Sequence, residues 1–398
     1  MTDIGTFSVA RLPEIRFGDG RAADIPDTAA RFGARALLVT GGRSFLSTPH
    51  WPALQEGLQK RGVSWERMQV DGEPSPDMVD QAVRRFRDTG ISVVVGIGGG
   101  SVLDAAKAIA GLLPGGDSVM DYLEGVGRGK TYEGPSLPFI AVPTTAGTGS
   151  EATRNAVLSV QGNDGFKKSF RHDALVAQVA IVDPALLESC PPSLIAANGM
   201  DAFTQLLESY VSTNASPFTD ALACSGLQAF RNGFWQAWEE QHPQRRDGLA
   251  RIAYASLMSG ITLAQAGLGS VHGLASPLGA YYPMPHGVVC GTLVAEATAT
   301  NIHALRARDP QSPALKKYAG VARLLSESAE PDDHAACDAL IDLLRIWTEQ
   351  LRLPRLNAFG MRHDDLPKVV ANSRGGSMRT NPIVLNDGEL TQLLLARL

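Results

Sequence analysis

The residues best suited to chemistry begin at Gly98. A strand-like run from Ile91 to Gly96 gives way to Gly98, Gly99, Gly100 and Ser101, and the string SVLDAAKAIA from Ser101 to Ala110 reads as the start of a helix. A glycine turn lets backbone N–H groups approach a pyrophosphate closely, and the helix N-terminus adds partial positive charge there. Gly99, Gly100 and Ser101 are therefore candidates to hold the phosphates of a dinucleotide. Three glycines on their own would more often make only a tight strand-to-helix turn. The full string GGGSVLDAAKAIA says more, because it also carries Asp104 and Lys107 in the first turns of the helix. It is not the G-x-G-x-x-G fingerprint, and it follows a later strand than the first, so a different nucleotide fold is expected.

A second group of polar residues lies downstream. Asp201 and Gln205, in GMDAFTQLLESY, are four apart and project from one face of a helix, as do His272 and Ser276 in VHGLASPLGAYYPMPHG. Pro277, Pro283 and Pro285 imply a break before His286, so that a following segment could return His286 towards His272. Asp201 alone could equally be a helix cap or an ion-pair partner. Five other histidines, His50, His242, His303, His334 and His363, have settings that suit structural roles.

The elements that must position these groups fall into two halves. At 398 residues the chain exceeds the usual size of one hydrophobic core and fits two domains with a cleft between them. From Ala36 the chain alternates apolar runs (ALLVTGG, SWERMQV, ISVVVGIGGGS) with helix-like stretches such as Pro76 to Arg87. Two more short apolar runs, PFIAVPTT and VAIVDP, carry the pattern to Pro184. That alternation implies a mostly parallel sheet covered on both faces. After SCPPS, long Ala- and Leu-rich stretches take over. The expected organisation is thus an α/β nucleotide-binding domain over residues 1–190 and an all-α domain over 191–398, with the boundary near Cys190 to Ser193. Gln241 to Asp247 and Glu330 to Asp333 read as polar surface loops.

Composition excludes several classes. With 44% hydrophobic and 19% charged residues, and no unbroken apolar run of membrane-spanning length, the chain reads as water-soluble. The N-terminal stretch MTDIGTFSVARLPEIRF lacks the pattern of a secretory signal, which favours the cytoplasm. Cys190, Cys224, Cys290 and Cys337 are far apart with no C-x-x-C pair, against a disulfide framework or a thiolate zinc site, and are expected to be reduced and structural. A net charge of −5 with scattered basic residues lacks the footprint of a nucleic-acid binder, leaving a small molecule as the expected partner. No G-x-S-x-G elbow or P-loop is present.

The string PTTAGTGSE at Pro143 to Glu151, following GGGSVLDAAKAIA, makes the chain resemble the iron-containing alcohol dehydrogenases, whose fold is shared with dehydroquinate synthase and glycerol dehydrogenase. The likeness extends to GGSMRTNPIVLNDGEL near the end of the chain. It implies that Gly99, Gly100 and Ser101 hold the pyrophosphate, that Asp104 steadies their loop, and that Thr144, Thr145 and Thr148 line the path to the nicotinamide. Lys168, in FKKSF, resembles the family's ribose-contacting lysine, with an alignment that can slip by one. At the end of the first apolar run, Gly41 stands where many NAD-using relatives have an acid, and Arg43 is placed to pair with a 2′-phosphate. This favours NADP(H), although Gly41 and Gly42 would equally serve only to turn the chain.

The resemblance also implies one divalent ion, iron or zinc, on Asp201, His272 and His286, with Gln205 standing where the family usually has histidine. A glutamine carbonyl is a weaker ligand for such ions than imidazole. Ser276 stands where relatives commonly carry a proton-relaying histidine, and serine cannot store a proton near neutral pH. The implied reaction is hydride transfer between a nicotinamide dinucleotide and a small alcohol or aldehyde, in a protein that such relatives suggest is a homodimer. The rivals are a metal-free reductase resembling maleylacetate reductase, favoured by Gln205 and Ser276; a lyase resembling dehydroquinate synthase; and a dinucleotide-binding protein without catalysis.

Overall fold

The computed structural model describes residues 5–326 and 330–398; the first four residues of the N-terminal stretch read above lie outside them. In the first half, eight strands form: β1 (Glu14–Phe17), β2 (Arg35–Thr40), β3 (Ser64–Gln69), β4 (Val93–Gly98), β5 (Phe139–Pro143), β6 (Asn155–Val160), β7 (Phe166–Arg171) and β8 (Val179–Val182). Between them lie helices α1 (Ile25–Ala30), α2 (His50–Lys60), α3 (Pro76–Phe86) and α4 (Gly100–Leu112). Six strands make one parallel sheet in the order β1-β8-β5-β4-β2-β3.

The apolar runs form central strands because both faces of the sheet are covered. Alternate residues of one strand enter different cores. Leu37, Val39, Val94, Phe139 and Ala141 pack with α3 and α4, whereas Ala36, Leu38, Val95, Ile140 and Val142 pack with α1 and α2. α3 starts cleanly because the Ser75 hydroxyl accepts from Met78 N and Pro76 occupies its first position. From β2 the chain steps outward to β3, then crosses back to place β4 on the other side of β2. That reversal opens a crevice beyond the carboxyl ends of β2 and β4, the usual place for a ligand in an open parallel sheet.

Two elements were not legible in advance. The short strand EIRF (β1) joins the sheet edge beside β8, ahead of the point where the apolar alternation begins. β6 and β7 form a separate antiparallel hairpin, with Val157 opposite Ser169 and Leu158 opposite Lys168. One face of this hairpin, with Ala156, Leu158 and Phe170, belongs to the α4 core. Its other side meets the helical half, where Gly162 N donates to Ala280 O at 3.1 Å.

The second half is helical: α5 (Pro192–Val211), α6 (Pro217–Trp238), α7 (Arg245–Ala266), α8 (Ser270–Tyr281), α9 (His286–Arg308), α10 (Pro313–Ser326), α11 (Asp333–Gln350), α12 (Leu366–Ala371) and α13 (Asp387–Ala396). α7 begins inside the segment expected to be a loop, at Arg245, and α11 begins at Asp333. Pro277 does not break α8, which runs through it; the turn that returns the chain is Tyr282 to Pro285. α9 is long and apolar enough to pass for a membrane span by composition, but 78% of that window is buried, as befits a core helix. Among the described residues no other helix passes that test.

Candidate active site

The glycine turn at the end of β4 is held against the PTTAGTGSE loop. A β-carbon built on Gly99 would lie 3.2 Å from Thr145 Oγ1, and one on Gly100 would lie 2.6 Å from the Thr148 methyl, so the two loops touch where only glycine fits. The end of β2 adjoins the same place, since a β-carbon on Gly41 would lie 3.8 Å from Val102. Gly41, Gly99, Gly100, Ser101, Thr144, Thr145 and Thr148 are thus brought to one crevice at the N-terminus of α4, a cradle suited to a pyrophosphate.

Asp104 acts elsewhere. Its carboxylate accepts from Ser150 Oγ at 2.5 Å and from Val157 N at 3.1 Å, so it ties down the second loop and the hairpin rather than the glycine turn. Lys107, fully buried, completes that tie by donating to Ser150 O, Ser150 Oγ, Thr153 Oγ1 and Asn155 O at 2.8 to 3.0 Å. The loop in turn meets the helical half. Gly147 packs on Asn198 of α5, and Gly149, with φ of +60°, would bring a β-carbon within 2.4 Å of Gly260 in α7.

Three residues beyond Asn198 stands Asp201, the centre of the second cluster. α5 projects Asp201, Gln205 and Glu208 from one face, α8 supplies His272, and α9 opens with His286 and places Cys290 one turn later. His272 Nε2 lies 3.3 Å and His286 Nε2 3.7 Å from Asp201 Oδ1. Cys290 Sγ lies 3.6 Å from His272 Nε2 and 3.7 Å from His286 Nε2, and all four donor atoms lie within 4.8 Å of one another. Behind His272, Glu208 accepts at 2.6 Å from Nδ1 and at 2.7 Å from Val271 N. That bond fixes the ring so that Nε2 faces Asp201.

Gln205 is turned differently from a ligand. Its Nε2 donates to Asp201 Oδ1 at 3.1 Å and its Oε1 accepts from Ser259 Oγ at 2.7 Å. Ser276 Oγ donates to the carbonyl of Lys167 at 3.0 Å, which commits its proton to the backbone. The lysine that reaches the cleft is Lys167, paired with Glu73 at 2.9 Å and packed against Gly279 of α8. Lys168 stands on the opposite side of β7, between Phe166 and Phe170, because neighbouring strand residues point to opposite faces. Of the two adjacent lysines, Lys167, one position before Lys168, is thus the one that faces the cleft.

Electrostatics fit a cluster meant to share a positive charge. Burial works against the Asp201 carboxylate, but His286 and His272 outweigh it and lower its pKa. Burial brings His286 down to about 4, with Lys167 and His272 adding to the effect, so it is neutral at ordinary pH. Burial works against the His272 imidazolium, but its neighbours Cys290, Glu208 and Asp201 outweigh it and raise its pKa. Nδ1 of His286 is buried and, among the described residues, has no hydrogen-bond partner.

Cys290, Glu208 and Lys167 were missed from sequence, although two of them carry a helical spacing that could have found them. Glu208 is seven residues after Asp201 and Cys290 four after His286. The donor atoms suit a divalent cation: tetrahedral bonds of roughly 2.0–2.3 Å require neighbouring ligands about 3.3–3.6 Å apart, close to the 3.3 to 3.7 Å found here.

Residues 13–184 match the family model described as iron-containing alcohol dehydrogenase, and residues 195–398 match that of the Fe-containing alcohol dehydrogenase family, C-terminal. "Long-chain-alcohol dehydrogenase 1" of Geobacillus thermodenitrificans is 38% identical over 70% of each chain. "Alcohol dehydrogenase 4" of Saccharomyces cerevisiae is 31% identical over 96% of each. Among solved structures, a 1,3-propanediol oxidoreductase superposes with a TM-score of 0.88 at 28% identity, over 99% of this chain and 100% of that one. A sulfoacetaldehyde reductase from Bifidobacterium kashiwanohense in complex with NAD+ gives 0.83 at 27%, over 99% of both. With a glycine cradle and an aspartate–histidine cluster facing each other across its two halves, and with both halves matched, the chain belongs to the iron-containing alcohol dehydrogenase family.

Proposed function

We propose that this protein is an NAD(P)-dependent alcohol dehydrogenase or aldehyde reductase for small substrates, with a divalent ion, iron or zinc, held by Asp201, His272 and His286. The observation that carries the reading is the convergence of both histidine Nε2 atoms on Asp201 Oδ1, at 3.3 and 3.7 Å, with Glu208 behind His272. When bound, the nicotinamide would supply or accept hydride and the ion would act as Lewis acid towards the substrate oxygen.

The chain's own part is positioning. Gly99, Gly100 and Ser101 offer backbone donors to the pyrophosphate, and Thr145 and Thr148 fix the depth of the cradle. Lys167, held in the cleft by Glu73, is placed to bond a ribose hydroxyl. His286 is neutral and ready to ligate; His272 must give up its Nε2 proton to do so. Ser276 orients the hairpin through the Lys167 carbonyl.

For the dinucleotide we infer NADP(H). Gly41 leaves no acid at the end of β2, and Arg43 is exposed beside it. The acid that would suit a free 2′-hydroxyl instead is Asp71, next to Gly42. A metal-free reductase is disfavoured because nothing in such chemistry calls for Glu208 to aim His272 at an aspartate. Turnover is tested by following the nicotinamide absorbance of NADPH and NADH with a panel of short aldehydes. Cofactor-dependent reduction of some of them is expected; binding of dinucleotide without turnover of any would support a non-catalytic role.

A further inference from the structure

Gln205 leaves the ion with three ligands from the expected set, and the structure shows a fourth donor elsewhere. We propose that the Cys290 thiolate is the fourth protein ligand, making an Asp201, His272, His286, Cys290 site in place of one completed at position 205. This deepens the metal reading above and rests on it.

Three observations carry the assignment. Sγ stands 3.6 and 3.7 Å from the two Nε2 atoms, within hydrogen-bond reach and also at the spacing of neighbouring ligands around one tetrahedral ion. The position is set by helix geometry, since Cys290 follows His286 by one turn at the start of α9 and shares its face. Gln205, the competitor, has both amide atoms engaged, and its carbonyl would have to abandon Ser259 to reach an ion. Cys190 and Cys337 differ from Cys290 in this respect, each donating to a backbone carbonyl, Thr144 O and Leu315 O respectively.

The chemistry follows from the donors. A cysteine binds a metal as thiolate, so the Cys290 proton leaves to solvent as the sulfur–metal bond forms. One thiolate among two imidazoles and a carboxylate makes the set softer, which favours zinc, cobalt or ferrous ions over magnesium or manganese. With four protein ligands, a substrate oxygen must join as a fifth, as catalytic zinc sites allow.

The test is cobalt binding by the full-length protein after chelation and dialysis. Wild type is expected to give tetrahedral visible bands together with a sulfur-to-cobalt charge-transfer band in the near ultraviolet. Cys290→Ser should lose the near-ultraviolet band and bind Co2+ about 10- to 100-fold more weakly, at least the loss seen when an outer partner of a ligand is removed. Gln205→Ala should keep the near-ultraviolet band, since no metal bond is lost, even though losing its hydrogen bond to Asp201 weakens Co2+ binding. Cobalt bound by wild type without the charge-transfer band, or a band that survives Cys290→Ser, overturns the assignment of Cys290 while leaving the metal site standing. No cobalt bound by wild type overturns the metal reading itself. The wild-type spectrum and Gln205→Ala decide the matter even if Cys290→Ser fails to fold.

Discussion

Glu208 shows how much of the proposed metal site lies one bond behind its proposed ligands. Its carboxylate bonds Nδ1 of His272 and the backbone at Val271 together, which sets both the tautomer and the position of the ring. Glu208→Gln is therefore expected to weaken binding of the divalent ion by about 10- to 100-fold, read by competition with a chromogenic chelator, with dinucleotide binding unchanged. Equal loss of both would point to misfolding instead. At the opposite end of the cleft, Arg43 is the exposed cation next to Gly41. Arg43→Ala should raise KM for NADPH about tenfold, the equivalent of one charge-assisted hydrogen bond, and leave NADH little changed. If instead Asp71→Ala impairs NADH and Arg43→Ala does nothing, the preference is for NAD. The structure brings Gly99 and Gly100 against Thr145 and Thr148, and His272 and His286 against Asp201, the groupings that the motifs suggested. Lys167 rather than Lys168 faces the cleft because a one-residue step along a strand changes the face, and adjacent lysines give no way to choose from sequence.

At the scale of elements, the two halves are locked by glycine contacts at the PTTAGTGSE loop. Gly149 combines a left-handed backbone with direct contact against Gly260, so an added methyl both strains the chain and pushes α7 away. Gly149→Ala is expected to cost about 2–4 kcal/mol of stability, followed by thermal melting. Gly20→Ala, at a φ of 80° with nothing within 4 Å, isolates the backbone part and should cost about 1 kcal/mol. Equal losses at the two positions would show that contact with Gly260 is unimportant. The parallel sheet was legible because its strands are buried on both faces and read as unbroken apolar runs. The β6–β7 hairpin was not, since half of each strand faces polar neighbours and its lysines, Lys167 and Lys168, dilute the apolar pattern. Pro277 lies inside α8, and the break before His286 falls at Tyr282 to Pro285, where Pro283 and Pro285 stand.

Across the whole molecule, buried charge around the locking loop ties stability to pH. Glu151 is buried beside Lys107, and burial raises its carboxyl to about 7 from an ordinary value of 4.5. A raised carboxyl binds more protons in the folded than in the unfolded state between those values. Its contribution is fully present below 4.5 and lost as pH rises through about 7. Glu151→Gln should remove that dependence, gaining up to about 3 kcal/mol over wild type between pH 5 and 9, seen in urea melts at both values. A gap that is constant with pH would contradict the assignment. The same loop stands between the cradle and the cluster at Asp201, so on the proposed function a dinucleotide in the cradle and an ion at the cluster would meet across the docked halves. The most direct measurement of that joint claim is the rate of NADPH-dependent aldehyde reduction in one preparation, assayed for metal content before chelation, after it, and after return of iron or zinc. Loss of the rate with the metal and its recovery on return are predicted; full activity in protein verified to be metal-free would contradict the account.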